Sequence, residues 1–425
     1  MNKNTIVCFG PGPMFKGGIA NYNTSLARAF DKMDNTEVHI VSWTQQYPAI
    51  IPRDFIDRKS KVDQLEGTNI KVHYITNYNN PASWKATVKL ISELNPTKVI
   101  FQWAIAIQGL PMGYIARRLK KIGGIEILFD LHFVIQKEGS ALDNRFTKFG
   151  IKNADSYIVH AFKTVDELKV LFPRKQLEVV ERGKEISGSG MKVLKLYHPV
   201  YDMFKPNPNF DIAKAKEEMG LNKYVFLYFG FIRKYKGLHN VIEAFANLAK
   251  MRDDVSLLIV GESFWNTLDS AKLSTRIKNA TFGVAKKLFL KKQDDEKDYN
   301  PLALIEKHNI KDLVYVYNEF VPNEDVPKYF QVSDNIMLFY LTATPSGVES
   351  IGYNFNMPML ATNVGHFPET VKEGFNGYMA NDGDIKSMTK AMNKAIEVPI
   401  NRANVANTSK DMSWDNYAKE IIRHS

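Results

Sequence analysis

The sequence predicts an α/β protein made of two doubly wound parallel sheets, and three observations carry that prediction. Short apolar runs alternate with helix-length segments from the start of the chain. The alternation breaks once, at a polar Gly- and Ser-rich stretch (181–190) and a Pro-rich one (199–208), and then resumes. The 425 residues suffice for two to three domains at ~150 residues each.

In the first half, Thr5–Phe9, Val38–Trp43, Ile70–Ile75, Lys98–Trp103, Glu126–Leu131 and Ser156–His160 read as strands, with helices such as Ile19–Phe30 and Trp84–Leu94 between them. Strands apolar on both faces and joined by crossovers form a parallel sheet covered by helices. After the break come a strand-like Leu194–Tyr197 and then Val225–Phe231, Val255–Gly261, Leu313–Tyr317, Asn335–Phe339 and Met359–Thr362. The expected domains are 1–203 and 204–410, two Rossmann-like units facing an interdomain cleft. A last helix, Trp414–Ile422 within 411–425, is expected to cross back onto the first domain.

Composition narrows the function classes. With 44% hydrophobic and 24% charged residues, the chain is neither disordered nor collagen-like. It has no apolar run of ~18 residues and no cleavage pattern near Met1. Its single cysteine, Cys8, excludes a disulfide framework and a Cys-based zinc site. A cytoplasmic protein is expected. The net charge of +10 is concentrated: Asn266–Lys292 holds seven basic residues against Asp269 alone. This insertion, about 266–305, is either a patch resting on anionic lipid at the inner face of the membrane or a solvated helical insertion. No aromatic-studded basic groove or finger spacing points to nucleic acid.

Three segments have the residues to handle phosphate. The first strand runs into Gly10-Pro11-Gly12-Pro13-Met14-Phe15-Lys16-Gly17-Gly18 before a helix, where glycines allow close backbone approach and a helix start favours an anion. It is neither G-x-G-x-x-G nor a P-loop. In the second half, Tyr228-Phe229-Gly230-Phe231-Ile232-Arg233-Lys234-Tyr235-Lys236-Gly237 leaves a strand, placing Arg233 and Lys236 to neutralise a diphosphate. Thr344-Pro345-Ser346-Gly347-Val348 opens another helix, with Ser346 as a cap.

The run from Phe229 to Leu238, then Ala244-Phe245 and Leu258 to Glu262, resembles the donor domain of retaining GT-B glycosyltransferases of family 4. Val321-Pro322-Asn323-Glu324, Ser346-Gly347-Val348 to Pro358, Ala361 to Gly365 and Pro368-Glu369 extend the resemblance, as do Gly17-Gly18-Ile19, Asp155 to His160 and His198 to Tyr201. The resemblance implies transfer of a sugar from a nucleotide donor with the anomeric configuration retained. Gly17 and Gly18 would approach donor phosphate and acceptor. Gly230, Arg233 and Lys236 would hold the diphosphate, and the N–H groups of Ser346, Gly347 and Val348 would cap its other side. Fixed cations and helix-start donors would stabilise charge on the leaving group, so no metal or other cofactor is required. Asp382-Gly383-Asp384 then reads as a turn and helix cap.

The chain departs from the family at its usual pair of glutamates, where Ala343 and Ile351 stand. Glu349, close by, is the candidate replacement for holding the donor's ribose, which leaves the nucleotide open. On the first domain, Asp130-Leu131-His132 ends a strand, and His132 matches the family's histidine against the donor sugar. Glu138 is the candidate to position or deprotonate the acceptor hydroxyl; in retaining transfer the departing phosphate oxygen can take that proton instead. His160 and His198 read as structural, and Gln102-Trp103 as acceptor lining or core. The expected function is a metal-independent hexosyltransferase extending surface polysaccharide, lipopolysaccharide or a related glycan on a lipid-linked acceptor. The rivals are a GT-B nucleotide-sugar epimerase and an inert glycosyltransferase-like partner subunit.

Overall fold

The computed structural model describes residues 4–48, 55–134, 141–184, 188–263, 299–345 and 347–424. Glu138, Ser346 and the basic segment Asn266–Lys292 lie outside the described residues. The chain divides into two compact units, one of Met1–Arg58, Asp63–Pro199 and Met412–Ser425, the other of Lys59–Val62 and Val200–Asp411.

Among the described residues, the first unit holds eight strands: β1 (Asn4–Phe9), β2 (Thr36–Gln45), β3 (Lys71–Asn77), β4 (Lys98–Trp103), β5 (Glu126–Leu131), β6 (Ser156–Val159), β7 (Leu177–Glu181) and β8 (Met191–Lys195). They form one sheet in the order β3-β2-β1-β4-β5-β6-β8-β7, with every pairing parallel. The second unit's strands are β9 (Tyr224–Phe229), β10 (Val255–Val260), β11 (Val314–Tyr317), β12 (Asn335–Leu338), β13 (Met359–Thr362) and β14 (Gly377–Ala380). Their order is β11-β10-β9-β12-β13-β14, again all parallel. Such sheets are buried on both faces, and the sequence obeys this: all six residues of Val-Ser-Leu-Leu-Ile-Val in β10 are buried.

Local chemistry sets the helix ends. Asn80 caps the helix Pro81–Leu94, whose first residue is a proline that needs no N–H donor, and Asn95 closes it in a left-handed conformation. Asp384 caps the helix Ile385–Glu397 by accepting from the Ser387 N–H at 3.0 Å, so the Asp-x-Asp spacing is a turn and cap. The helix Trp414–His424 belongs to the first unit, where it packs on the helix Gly18–Asp31; Trp414 sits edge-on to Tyr22 at 4.8 Å. The first unit's core is aromatic, with Phe101 and Phe129 stacked at 4.8 Å between Phe9 and Trp103. Trp103 therefore belongs to the core.

Two strands escape the sequence reading, β7 and β14. β7 is a short edge strand only partly buried, and β14 spans four residues and opens on a glycine. Neither has the apolar run that marks the central strands. Among the described residues, no helix is long and apolar enough to cross a membrane.

In both sheets the strand order reverses beside the first strand, between β1 and β4 and between β9 and β12. In doubly wound sheets, ligands bind outside the carboxyl ends of the strands at this reversal.

Candidate active site

At the second unit's reversal, β9 is followed by Gly230, and the chain turns through Arg233 into the short turn Lys234–Lys236. Gly230 has φ +93, which only glycine adopts without strain. A Cβ there would lie 2.8 Å from the Lys236 Nζ and 3.3 Å from Val348 Cγ2. Gly230, Lys236 and Val348 are thus brought together, the ammonium lying against bare backbone.

Lys236 is 7% exposed, and its Nζ lies 5.8 Å from the centre of the Tyr340 ring, beyond the end of β12. Among the described residues no carboxylate pairs with it; its nearest charged influence is Arg233, another cation. Burial first, and then Arg233, push the ammonium down to about 7. An interior cation without an anion is costly, and the most direct compensation is an anionic ligand. Arg233 itself lies 5.9 Å from the Tyr235 ring centre. Gly347 and Val348 open the helix Gly347–Asn354, adding a helix start whose N–H groups favour negative charge.

Glu349, in the same helix, is 3% exposed. Its Oε2 is hydrogen-bonded to Nε2 of the equally buried His366, and Oε1 and the His366 Nδ1 remain buried without partners. Glu349, the ribose candidate, thus has an imidazole partner that no spacing in the sequence marks. His366 follows a glycine and precedes Phe-Pro-Glu, a turn-like context that gave no sign of a buried pair.

The first unit's reversal is polar and, among the described residues, carries no such buried cation. Gly17 has φ +105 and precedes the helix Gly18–Asp31; beyond its chain neighbours, no atom of the described residues lies within 4 Å of where its Cβ would be, and Gly18 is exposed. Backbone here is open to close approach by a ligand. His132 follows β5, its Nε2 2.9 Å from Gln102 Oε1 and its ring edge-on to Tyr22 at 4.7 Å. Burial lowers the His132 imidazole to about 4, Asp130 opposing and His160 adding to the shift.

Behind it lies a cluster that the sequence did not reveal. Asp130, fully buried, accepts from Tyr22 at 2.9 Å and Tyr417 at 3.2 Å, and lies 2.8 Å from the His160 Nε2. The two hydroxyls also meet each other at 2.7 Å. Burial works to raise the Asp130 carboxyl, but His160, then His132 and Tyr22, outweigh it and hold the group below its ordinary range. Burial, His160 and His132 likewise push His198 well below its usual value. The sequence signal for it is slight, an Asp set among the apolar residues Ile127–Phe129 and Leu131.

Two all-parallel units with the same strand reversal, one holding the buried Lys236 ammonium beside the half-buried Arg233, define a two-unit α/β class. Comparison with known proteins narrows that class. Residues 209–412 match the family described as Glycosyl transferases group 1. Over 241 residues the chain is 21% identical to the spore coat protein SA of Bacillus subtilis (strain 168), covering 54% of this chain and 55% of that protein. Over 207 residues it is 23% identical to the capsular polysaccharide biosynthesis glycosyltransferase CapM of Staphylococcus aureus, covering 47% and 44%. The chain thus spans about half the length of these curated relatives. The crystal structure of Anabaena Alr3699/HepE in complex with UDP and glucose superposes with a TM-score of 0.68 at 14% identity, over 99% of this chain and 98% of that one. The fold is that of the GT-B glycosyltransferases, and residues 209–412 are similar to the glycosyl transferases group 1 family.

Proposed function

We propose that the chain transfers a hexosyl group, with retention of configuration and without a metal, from a nucleoside-diphosphate sugar to a hydroxyl of a glycan or lipid-linked acceptor. The observation that carries this reading is Lys236, a buried ammonium beside Gly230 and Arg233 with no carboxylate partner among the described residues. A diphosphate supplies the missing charge. As the bond to the sugar breaks, negative charge grows on the leaving phosphate, where Lys236, Arg233 and the helix start at Gly347 and Val348 stabilise it without reorganisation. The acceptor hydroxyl loses its proton to the departing phosphate oxygen.

The relatives support the direction of the reading, one being described as a capsular polysaccharide glycosyltransferase and the superposed structure holding UDP and glucose. Surface polysaccharide assembly is the corresponding role, on an acceptor carried at the inner face of the membrane. The Asn266–Lys292 basic segment, outside the described residues, is the element proposed to meet anionic lipid.

The test is turnover of UDP-, GDP- and ADP-sugars with and without Lys236→Ala. Nucleoside-diphosphate release with an acceptor is expected, reduced ~10²-fold or more in the variant. Wild-type-like turnover in Lys236→Ala would remove Lys236 from the chemistry.

A further inference from the structure

We propose that Gln102 is a positioning residue for His132, fixing the imidazole as the Nε2–H tautomer so that Nδ1 is the acceptor offered to a substrate hydroxyl. The identity of that hydroxyl, on the transferred or accepting sugar, rests on the glycosyl-transfer reading above. The tautomer is a property of the chain itself.

The strand register sets the pair up. β4 and β5 run in parallel with Gln102 opposite Asp130, and the His132 N–H extends the ladder by donating to the Trp103 carbonyl at 3.1 Å. Side chains two residues apart on a strand share a face, so Asp130 and His132 both turn toward Gln102. The obvious group to orient His132 is the Asp130 carboxylate, but His160, Tyr22 and Tyr417 occupy it. The Gln102 carbonyl oxygen takes the role instead, 2.9 Å from the His132 Nε2.

A carbonyl oxygen only accepts, so the ring nitrogen facing it carries the hydrogen. The groups around the ring are Asp130, His160, His198 and the edge-on Tyr22 ring, and the ring is neutral near pH 7. Its one N–H is spent on Gln102. Nδ1 then keeps its lone pair, has no partner among the described residues and is not sealed from solvent. A neutral amide differs from a carboxylate orienter in one respect: it fixes the tautomer without drawing a second proton onto the ring. The stem of Gln102 is tightly packed, since a Cβ on Gly10 would lie 2.9 Å from both its Cβ and Cγ, while its amide Nε2 is buried without a partner among the described residues.

The test is nitrogen NMR of the full chain labelled at histidine, with the His132 signals assigned by their loss in His132→Gln. The expected result is a neutral Nε2–H tautomer persisting to about pH 4. In Gln102→Leu the single tautomer is lost, release of UDP from UDP-glucose slows roughly 10–100-fold, and UDP affinity is unchanged. Gln102→Glu retains the tautomer but raises the pH at which the ring charges, adding an acid limb to the turnover profile. Gly10→Ala, which crowds Gln102 from outside the pair, reproduces the leucine spectrum. An Nδ1–H tautomer in the wild type, or an unchanged spectrum in Gln102→Leu, overturns the proposal. Failure of the glycosyl-transfer reading is recognised separately, as a wild type that neither binds UDP nor turns over UDP-glucose while its tautomer remains readable.

Discussion

The two strand-order reversals are the instructive pair in this molecule. Each lies beside the first strand of an all-parallel doubly wound sheet, and each is entered by a glycine. One gathers a buried ammonium beside a guanidinium. The other gathers neutral groups, Gln102 and a deprotonated His132, backed by an Asp130 carboxylate already engaged on every side. The same strand order around the reversal therefore creates two sites of different chemistry. The fold determines where a ligand can approach, and a few side chains determine which ligand that is.

The largest expected effect is at Asp130. Asp130→Asn leaves His160 facing an amide and removes the charge that two tyrosines serve, and is expected to cost roughly 3–5 kcal/mol, as for other buried pairs that lose one partner. Urea unfolding followed in the first unit measures it; a loss under 1 kcal/mol would mean the cluster holds little.

Acid probes the same contrast. His132 charges near 4 in the folded chain and near 6.5 unfolded, so its contribution is present above pH 6.5 and lost as pH falls toward 4. His198 is displaced in the same direction and acts with it. The expected loss is about 3 kcal/mol for His132, with Asp130 adding a further decline at lower pH. A stability profile flat between pH 6.5 and 4 would contradict the neutral assignment.

Tyr417→Phe asks how much of the neutral site depends on the C-terminal helix. It removes a hydroxyl held by Asp130 and Tyr22 and is expected to cost about 1–2 kcal/mol by thermal unfolding. The smallest effect is at Asp384→Ala, which loses only a helix cap, at about 1 kcal/mol, and leaves turnover unchanged. A lost activity there would give the Asp-x-Asp spacing a chemical role.

Much of this was legible in the chain. The central strands are continuous apolar runs, and a run such as Val255–Val260 admits one reading. Arg233, Lys236 and Gly230 were visible because a strand, two cations and glycines follow one another within ten residues. What remained hidden depends on partners distant in sequence. Tyr22 and Asp130 are 108 residues apart, and Tyr417 lies 287 from Asp130; only the closed fold joins them. Glu349 was noticed for its charge, but its partner His366 lies on the loop after β13 and announces nothing by spacing. Gln102 was read together with Trp103, and the structure separates them: the indole belongs to the core and the amide to His132.

The central claim is that Lys236 waits for a diphosphate, and calorimetric titration with UDP, GDP and ADP tests it most directly. An ammonium pushed down to about 7 must regain its proton when an anion arrives, so binding at pH 8 is predicted to take up protons, seen as a heat that varies with buffer ionisation enthalpy. Affinity falls as pH rises above that value. Lys236→Met is predicted to weaken binding at least ~10-fold and abolish the proton uptake. Equal affinity and equal proton uptake in that variant, or no binding of any of the three nucleotides to the wild type, would contradict the account.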